Sequence, residues 1–309
     1  MESKDLIIIG GGPAGLSAGI YASRAALEAV MLERAMPGGL VMNTESIENY
    51  PGFADSIGGF ELMARMESQA RRFGLEIRSA EVEGLKPAGN KLIVVTGQGD
   101  ITAGAVIIAT GVQPQRLNVK GEVELTGRGV SYCATCDGPF FRGKRVAVVG
   151  GGDAAVEEAV YLTKFAEKVF IVHRRGELRA TKVVQKKAFE NSKIEFVWHN
   201  VVDEIHGTDS VKSVLTRDVR DNAKKLLPVD GAFIYVGNIP VSGIVKGLVN
   251  LDENGYIVTD ENMRTSYPGI YAAGDVRKKM LRQVVTAVSD GAVAAVAAEK
   301  YLEGNGQTK

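Results

Sequence analysis

Cysteine is almost absent from the 309 residues: there are two, Cys133 and Cys136, and no further pair. Structural zinc takes four ligands, commonly two such pairs. The only histidines, His173, His199 and His206, lie far downstream without ligand-like spacing, so no metal is expected. An excess of one charge is missing too. Lysine plus arginine and aspartate plus glutamate number 37 each, which argues against a nucleic-acid or anionic-membrane surface. No apolar run reaches the roughly 18 residues of a membrane-spanning helix. The start, Met1-Glu2-Ser3-Lys4-Asp5, lacks the basic region of a secretory leader. A cytoplasmic protein without nucleic-acid or membrane partners is the expectation, and 45% hydrophobic content over this length suits two ordinary domains.

The two cysteines are two residues apart and followed at once by an acid, in Cys133-Ala134-Thr135-Cys136-Asp137. A lone C-x-x-C is half a zinc site as readily as a dithiol couple. With zinc disfavoured, a static disulfide is the plain alternative. Its loop is too short to constrain the unfolded chain much, and cytosolic disulfides are usually catalytic. The redox-active reading is favoured.

Leu6 to Ile9 is a short apolar run ending in Gly10-Gly11-Gly12-Pro13-Ala14-Gly15, and Leu16 to Ala26 reads as helix. Gly10, Gly12 and Gly15 fit G-x-G-x-x-G: a tight turn, room for a pyrophosphate, and close helix-to-sheet packing. The helix start offers the phosphates its free N–H groups. The next strand, Ala29 to Leu32, ends at Glu33, where an acid accepts hydrogen bonds from an adenosine ribose. An adenine dinucleotide with a free 2′-hydroxyl is expected there. The following loop, through Pro37-Gly38-Gly39-Leu40 and Glu48-Asn49-Tyr50-Pro51-Gly52, is too long and glycine-rich for simple turn duty, and such loops usually carry function. Gly59 to Phe73 reads as an amphipathic helix. Leu92 to Val95 and Ala105 to Ile108 read as strands, the second ending at Ala109-Thr110-Gly111.

Val112 to Arg128 is polar and turn-rich, as a linker would be. Arg145 to Val149 then ends in Gly150-Gly151-Gly152-Asp153-Ala154-Ala155, with Val156 to Thr163 as helix, so the chain repeats its opening pattern. Ala155 replaces the last glycine at a position that governs packing rather than phosphate approach. The next strand, Lys168 to Val172, ends in His173-Arg174-Arg175, with Arg179 one turn later, where the first unit has Glu33. An acid repels a 2′-phosphate and guanidinium groups pair with it, so NADPH is expected over NADH. Short strands are expected at 193–197, 211–216, 226–229 and 232–236, with a hairpin turn at Asp221-Asn222.

Gly269 to Ala272 leads into Ala273-Gly274-Asp275-Val276, and Arg282-Gln283-Val284 opens a small-residue helix to about Tyr301. A strand ending in Gly-Asp fits an acid that reaches a second hydroxyl chain, and the helix start offers N–H donors to a flavin ring or phosphate. The predicted fold is α/β, with two Rossmann-like dinucleotide-binding domains, the second inserted in the first. Residues 1–112 with 242–309 form one, and 113–241, carrying the C-x-x-C, the other. If nicotinamide and disulfide compete for the same face of one flavin, the insert must swing on linkers near 112–118 and 237–243.

Over essentially its whole length the chain resembles the low-molecular-weight bacterial thioredoxin reductases, flavoprotein disulfide reductases that are usually cytoplasmic homodimers. The resemblance rests on Arg128-Gly129-Val130-Ser131-Tyr132 running into the C-x-x-C, both glycine motifs, His173-Arg174-Arg175 with Arg179, and Gly274-Asp275-Val276 with Arg282-Gln283. It implies FAD at the first site, with contacts from Pro13, Ala14, Gly38, Gly39, Asn49, Thr110, Gly111 and Val284 beside the residues above. It implies NADPH at the second, with Asp153 and Ala154 in its turn, and oxidised thioredoxin as acceptor. It further implies that Cys136 meets the flavin, that Cys133 attacks thioredoxin, and that Asp137 handles the proton. One position departs from the family: Leu40 stands where glutamine is common, so a side-chain amide to the flavin is missing. The alternatives are an acceptor of glutaredoxin-like or peroxidase type, or a redox sensor that binds nucleotide as a signal.

Overall fold

The computed structural model describes residues 2–44 and 46–306. The chain divides into two units, Met1–Gln113 with Ile239–Lys309, and Pro114–Asn238.

In the first unit the strand Glu2–Ile9 lies between Ala29–Glu33 and Ile101–Ile108, all parallel. Glu76–Ser79 extends one edge, and Ile270–Ala272 pairs with Ile101–Ile108 on the other side. Leu6, Ile7, Ile8 and Ile9 are all buried, as strands covered on both faces must be. Two apolar cores result, one on each face of the sheet. The helix Pro13–Arg24 packs on the terminal helix Val284–Gly306. Their approach is close enough that a Cβ on Gly291 would strike the Ala14 carbonyl oxygen.

The first strand starts earlier than its apolar run predicts, because Ile101–Ile108 pairs with it back to Glu2. Its polar start is held by Arg78 on Glu2 and Lys4 on Glu76. Both helices that follow the glycine turns also begin sooner than the apolar pattern suggests, at Pro13 and Asp153; proline at a first helical position costs no hydrogen bond. The loop after Glu33 contains a 3-10 turn, Gly39–Asn43.

In the second unit five parallel strands run in the order Ile194–Trp198, Lys168–His173, Arg145–Gly150, Gly231–Tyr235, Val130–Ser131. An antiparallel sheet of Asn200–Gly207, Val211–Asp218 and Lys224–Pro228 accompanies them, with Asn222 at positive φ in its second turn. Cores again form on both faces. Among the described residues no helix is long and apolar enough to cross a membrane.

Candidate active site

In the first unit the glycine turn has two kinds of glycine. Gly10 has φ +104°, and a Cβ there would strike the Ala109 carbonyl; Gly15 likewise lies against the carbonyl of Gly10. These two serve the chain's own packing. Gly12 differs, since a Cβ on it would meet nothing within 4 Å. It caps the helix Pro13–Arg24 without a side-chain hydrogen bond, which leaves first-turn N–H groups to face an anion.

Around Gly12 lies a cavity of about 430 Å³ whose walls include Gly10, Pro13, Ala14, Glu33, Gly39, Leu40, Thr110, Gly111, Gly274, Asp275, Gln283 and Val284. The Glu33 carboxylate accepts the N–H of Gly11 at 2.6 Å and of Ala35 at 2.9 Å. Gly38 is anchored by its N–H on the Gly11 carbonyl, 2.8 Å. Asn49 donates to Gln283 at 3.0 Å, and the Thr110 hydroxyl is committed to the Val241 carbonyl at 2.6 Å. Leu40 is 45% exposed at the cavity wall.

The opposite wall rests on an acid that the motifs do not single out. Asp290, buried in the terminal helix, accepts the Gly274 N–H at 3.1 Å and pairs with Arg277 and Lys279, each at 3.0 Å. Lys279 also reaches Asp275, 3.3 Å away. Burial pushes the Asp275 carboxyl up, against the pull of Lys279 and Arg282. The Arg282 guanidinium lies over the Tyr256 ring, 4.1 Å from its centroid, a cation–π arrangement. A signal for Asp290 did exist: it is the one acid in Val284 to Val296, an otherwise neutral run of small and apolar residues.

The second unit repeats the turn. A Cβ on Gly150 would strike the Tyr235 carbonyl, whereas one on Gly152 would meet nothing within 4 Å. Ala155 is buried behind Gly150, while Ala154 is exposed. Asp153 accepts the Thr181 N–H at 2.7 Å. The loop bearing Arg179 hangs on the turn through Arg179 N–H to the Gly151 carbonyl, 2.7 Å. Arg174, Arg175 and Arg179 are exposed. His173 is not with them: it is 5% exposed, and its ring is so close under the turn that a Cβ on Gly151 would meet it at 2.5 Å. Burial holds the His173 pKa down, helped by the charges of Arg179, Arg174 and Arg175.

Cys133 and Cys136 form a disulfide at the one-turn helix Ala134–Asp137, also in the second unit. Ser131 exchanges hydrogen bonds with the Cys133 backbone, its hydroxyl accepting the N–H at 3.0 Å. The Cys133 sulfur accepts the Cys136 N–H at 3.1 Å and lies 3.3 Å from the Thr135 hydroxyl. The Tyr132 hydroxyl donates to Glu122 at 2.8 Å, and the same buried carboxylate accepts the N–H groups of Leu117 and Asn118. Burial, then this bond, raises the Tyr132 phenol to about 12. Cys136 is exposed, and Cys133 and Asp137 are half-buried.

The profile of the pyridine nucleotide-disulphide oxidoreductase family matches residues 4–291. A thioredoxin reductase of Listeria innocua is 51% identical over 300 residues, 97% of this chain and 94% of the relative. Among solved structures, Lactococcus lactis thioredoxin reductase in its FR conformation superposes with a TM-score of 0.95 at 44% identity, over 97% of this chain and 99% of the other. T. acidophilum thioredoxin reductase gives 0.92 at 37% identity over the same shares.

Proposed function

Because the chain belongs to the pyridine nucleotide-disulphide oxidoreductase family, as one of its thioredoxin reductases, we propose a route of electrons from NADPH through FAD and the Cys133–Cys136 disulfide to oxidised thioredoxin. FAD is assigned to the first unit and NADPH to the second. The observation that carries the assignment is the contrast at the two strand ends: a carboxylate at Glu33 and a fan of exposed guanidinium groups from Arg174, Arg175 and Arg179.

The residues present fit both groups. Bare Gly12 and Gly152 leave room for a pyrophosphate. Glu33 keeps lone pairs for ribose hydroxyls beside the two N–H groups it already accepts. Bound FAD would supply the conversion of a hydride's two electrons into a form that a disulfide accepts. Two electrons and two protons open the Cys133–Cys136 bond into two thiols, with Asp137 relaying a proton. The Cys133 thiolate then attacks one sulfur of the thioredoxin disulfide and expels the other as a thiolate. Cys136 attacks Cys133 in the mixed disulfide, which closes the internal bond and releases reduced thioredoxin. Cys133→Ser is expected to abolish thioredoxin reduction, and Cys136→Ser to leave a trappable mixed disulfide. Full turnover in either would refute these roles.

The disulfide and the turn assigned to the nucleotide belong to the same unit, so if nicotinamide and disulfide compete for the same flavin face the reading includes a swing of that unit on the passages around 112–118 and 237–243. Cross-linking the units should stop turnover yet spare one half-reaction; unimpaired turnover counts against the swing. The reading also includes a cytoplasmic homodimer, tested by sedimentation and cell fractionation.

The deciding experiment is anaerobic titration of the FAD-loaded protein with NADPH, and separately NADH, followed by oxidised thioredoxin. Flavin bleaching by NADPH and recovery with thioredoxin is the expected result. Bleaching without recovery moves the acceptor to a glutaredoxin-like or peroxidase partner. No bleaching by either nucleotide overturns the donor assignment and favours a nucleotide sensor.

A further inference from the structure

One side chain joins the second glycine turn to the redox turn. Tyr235 ends the strand Gly231–Tyr235, and its backbone pairs with Gly150, the first glycine of the turn. From there its hydroxyl accepts the N–H of Ala134 at 2.9 Å. Ala134 is fully buried and is the first residue of the one-turn helix that links the two cysteines. An amide so placed needs a partner inside the protein.

The hydroxyl keeps its proton. Burial pushes the Tyr235 phenol far up, and the nearby carboxylates of Glu158 and Asp137 push it further, against the pull of the Ala134 N–H. Asp137 is the acid next to Cys136, so the phenol that holds Ala134 also feels the acid expected to move the thiol proton.

We propose that Tyr235 is a positioning residue for disulfide exchange: by holding the Ala134 amide it fixes the Cys133–Cys136 turn in its closed form. The inference rests on the electron route given above. The bond is present with the disulfide closed. Opening the S–S bond frees Cys133 to turn toward a partner's sulfur, and that movement carries the adjoining amide with it. The hydrogen bond therefore favours disulfide over dithiol, and its loss should make the pair easier to reduce.

The test is Tyr235→Phe in the FAD-loaded protein, which keeps the ring and removes the hydroxyl. The dithiol/disulfide ratio is read in glutathione buffers by alkylation and mass spectrometry, without nucleotide or thioredoxin. Its outcome is thus separable from the donor and acceptor assignments. A shift toward dithiol of up to about fivefold is expected, about 20 mV for a two-electron couple. Thioredoxin-coupled kcat should fall while the rate of flavin bleaching by NADPH stays within about twofold, a split that loss of folding would not give. An unchanged ratio, or one moved toward disulfide, overturns the proposal. Hydrogen exchange of the unmodified protein supplies a second arm should the variant fail to fold. The Ala134 amide should be protected in the oxidised form and exchange faster after reduction, and equal protection in both forms also overturns it.

Discussion

The two glycine turns are built alike and finished differently. In each, a parallel strand runs into a glycine that no side chain could replace, at Gly10 and Gly150, and a bare one follows at Gly12 and Gly152. The loop beyond the second strand hangs on the carbonyl of the middle glycine, through Gly38 on Gly11 and through Arg179 and Ala180 on Gly151. The next strand end marks the difference. In the first unit Glu33 reaches the turn and takes the Gly11 N–H. In the second, the His173 ring fills the corresponding space under Gly151, and charge appears outside it, on three exposed arginines. One scaffold thus meets two demands, close support of the turn, which is seen, and recognition of a nucleotide's far end, which is proposed. On the proposed function Glu33 serves both, whereas the second unit divides them between His173 and the arginines.

The largest effect that would sharpen this contrast is on donor choice. Replacing Arg174 and Arg175 together by alanine should raise KM for NADPH by about 100-fold, at roughly 1.5 kcal/mol or more for each charged hydrogen-bonding partner lost. KM for NADH should barely move. Equal losses with both nucleotides would mean that the arginines do not read a 2′-phosphate. Glu33→Ala should come next, with FAD affinity reduced about tenfold and stability about 1–2 kcal/mol lower, because two N–H groups lose their acceptor. FAD release during denaturant titration measures both.

Glycine substitutions test the two-kinds argument at lower cost. Gly151→Ala forces a methyl group against the His173 ring and should destabilise by about 1–3 kcal/mol, as overpacking does. Gly12→Ala meets open space in the protein itself, so unfolding of the FAD-free chain should change by under about 0.5 kcal/mol while FAD incorporation drops sharply. If Gly12→Ala unfolds the bare chain as readily as Gly151→Ala does, the first turn is bare for steric reasons and the contrast between the two glycines fails.

Much of this was legible because it lies where strand pattern meets glycine spacing: both turns, Glu33, the arginines and the cysteine pair are local sequence events. What was not legible depends on partners distant in the chain. Val82–Ala88 carries Gly84 and Pro87, residues depleted from strands, and is one only because Lys91–Thr96 pairs with it. Glu76–Ser79 is a charged edge strand held by ion pairs with Glu2 and Lys4. Asn200–Gly207 has its alternation interrupted by a register shift at Val202 to Glu204. The helix Lys182–Phe189 buries Gln185, which only its bonds to Leu178 and Ala180 make tolerable. At the site, His173 reads as part of a basic motif, yet its placement under Gly151 follows from the last pairs of a parallel strand. Tyr235 carries no motif at all; its reach to Ala134 exists only in three dimensions.

The smallest effect concerns that buried histidine. Burial and then the charges of Arg179, Arg174 and Arg175 lower the His173 pKa in the folded protein, whereas the unfolded chain titrates near the ordinary value of about 6.5. Between the two values the unfolded chain binds a proton that the folded one rejects, so stability rises with pH across that window. The contribution is complete above about pH 6.5 and is lost as the pH falls through that value toward the folded one. Thermal unfolding between pH 7.5 and 5.5 should therefore show a loss of Tm that His173→Gln reduces, since glutamine has no proton to gain. Equal slopes in the two proteins would mean that the imidazole under Gly151 accepts its proton as freely as in the unfolded chain. The second turn would then be supported by a charged group after all, as the first is by Glu33.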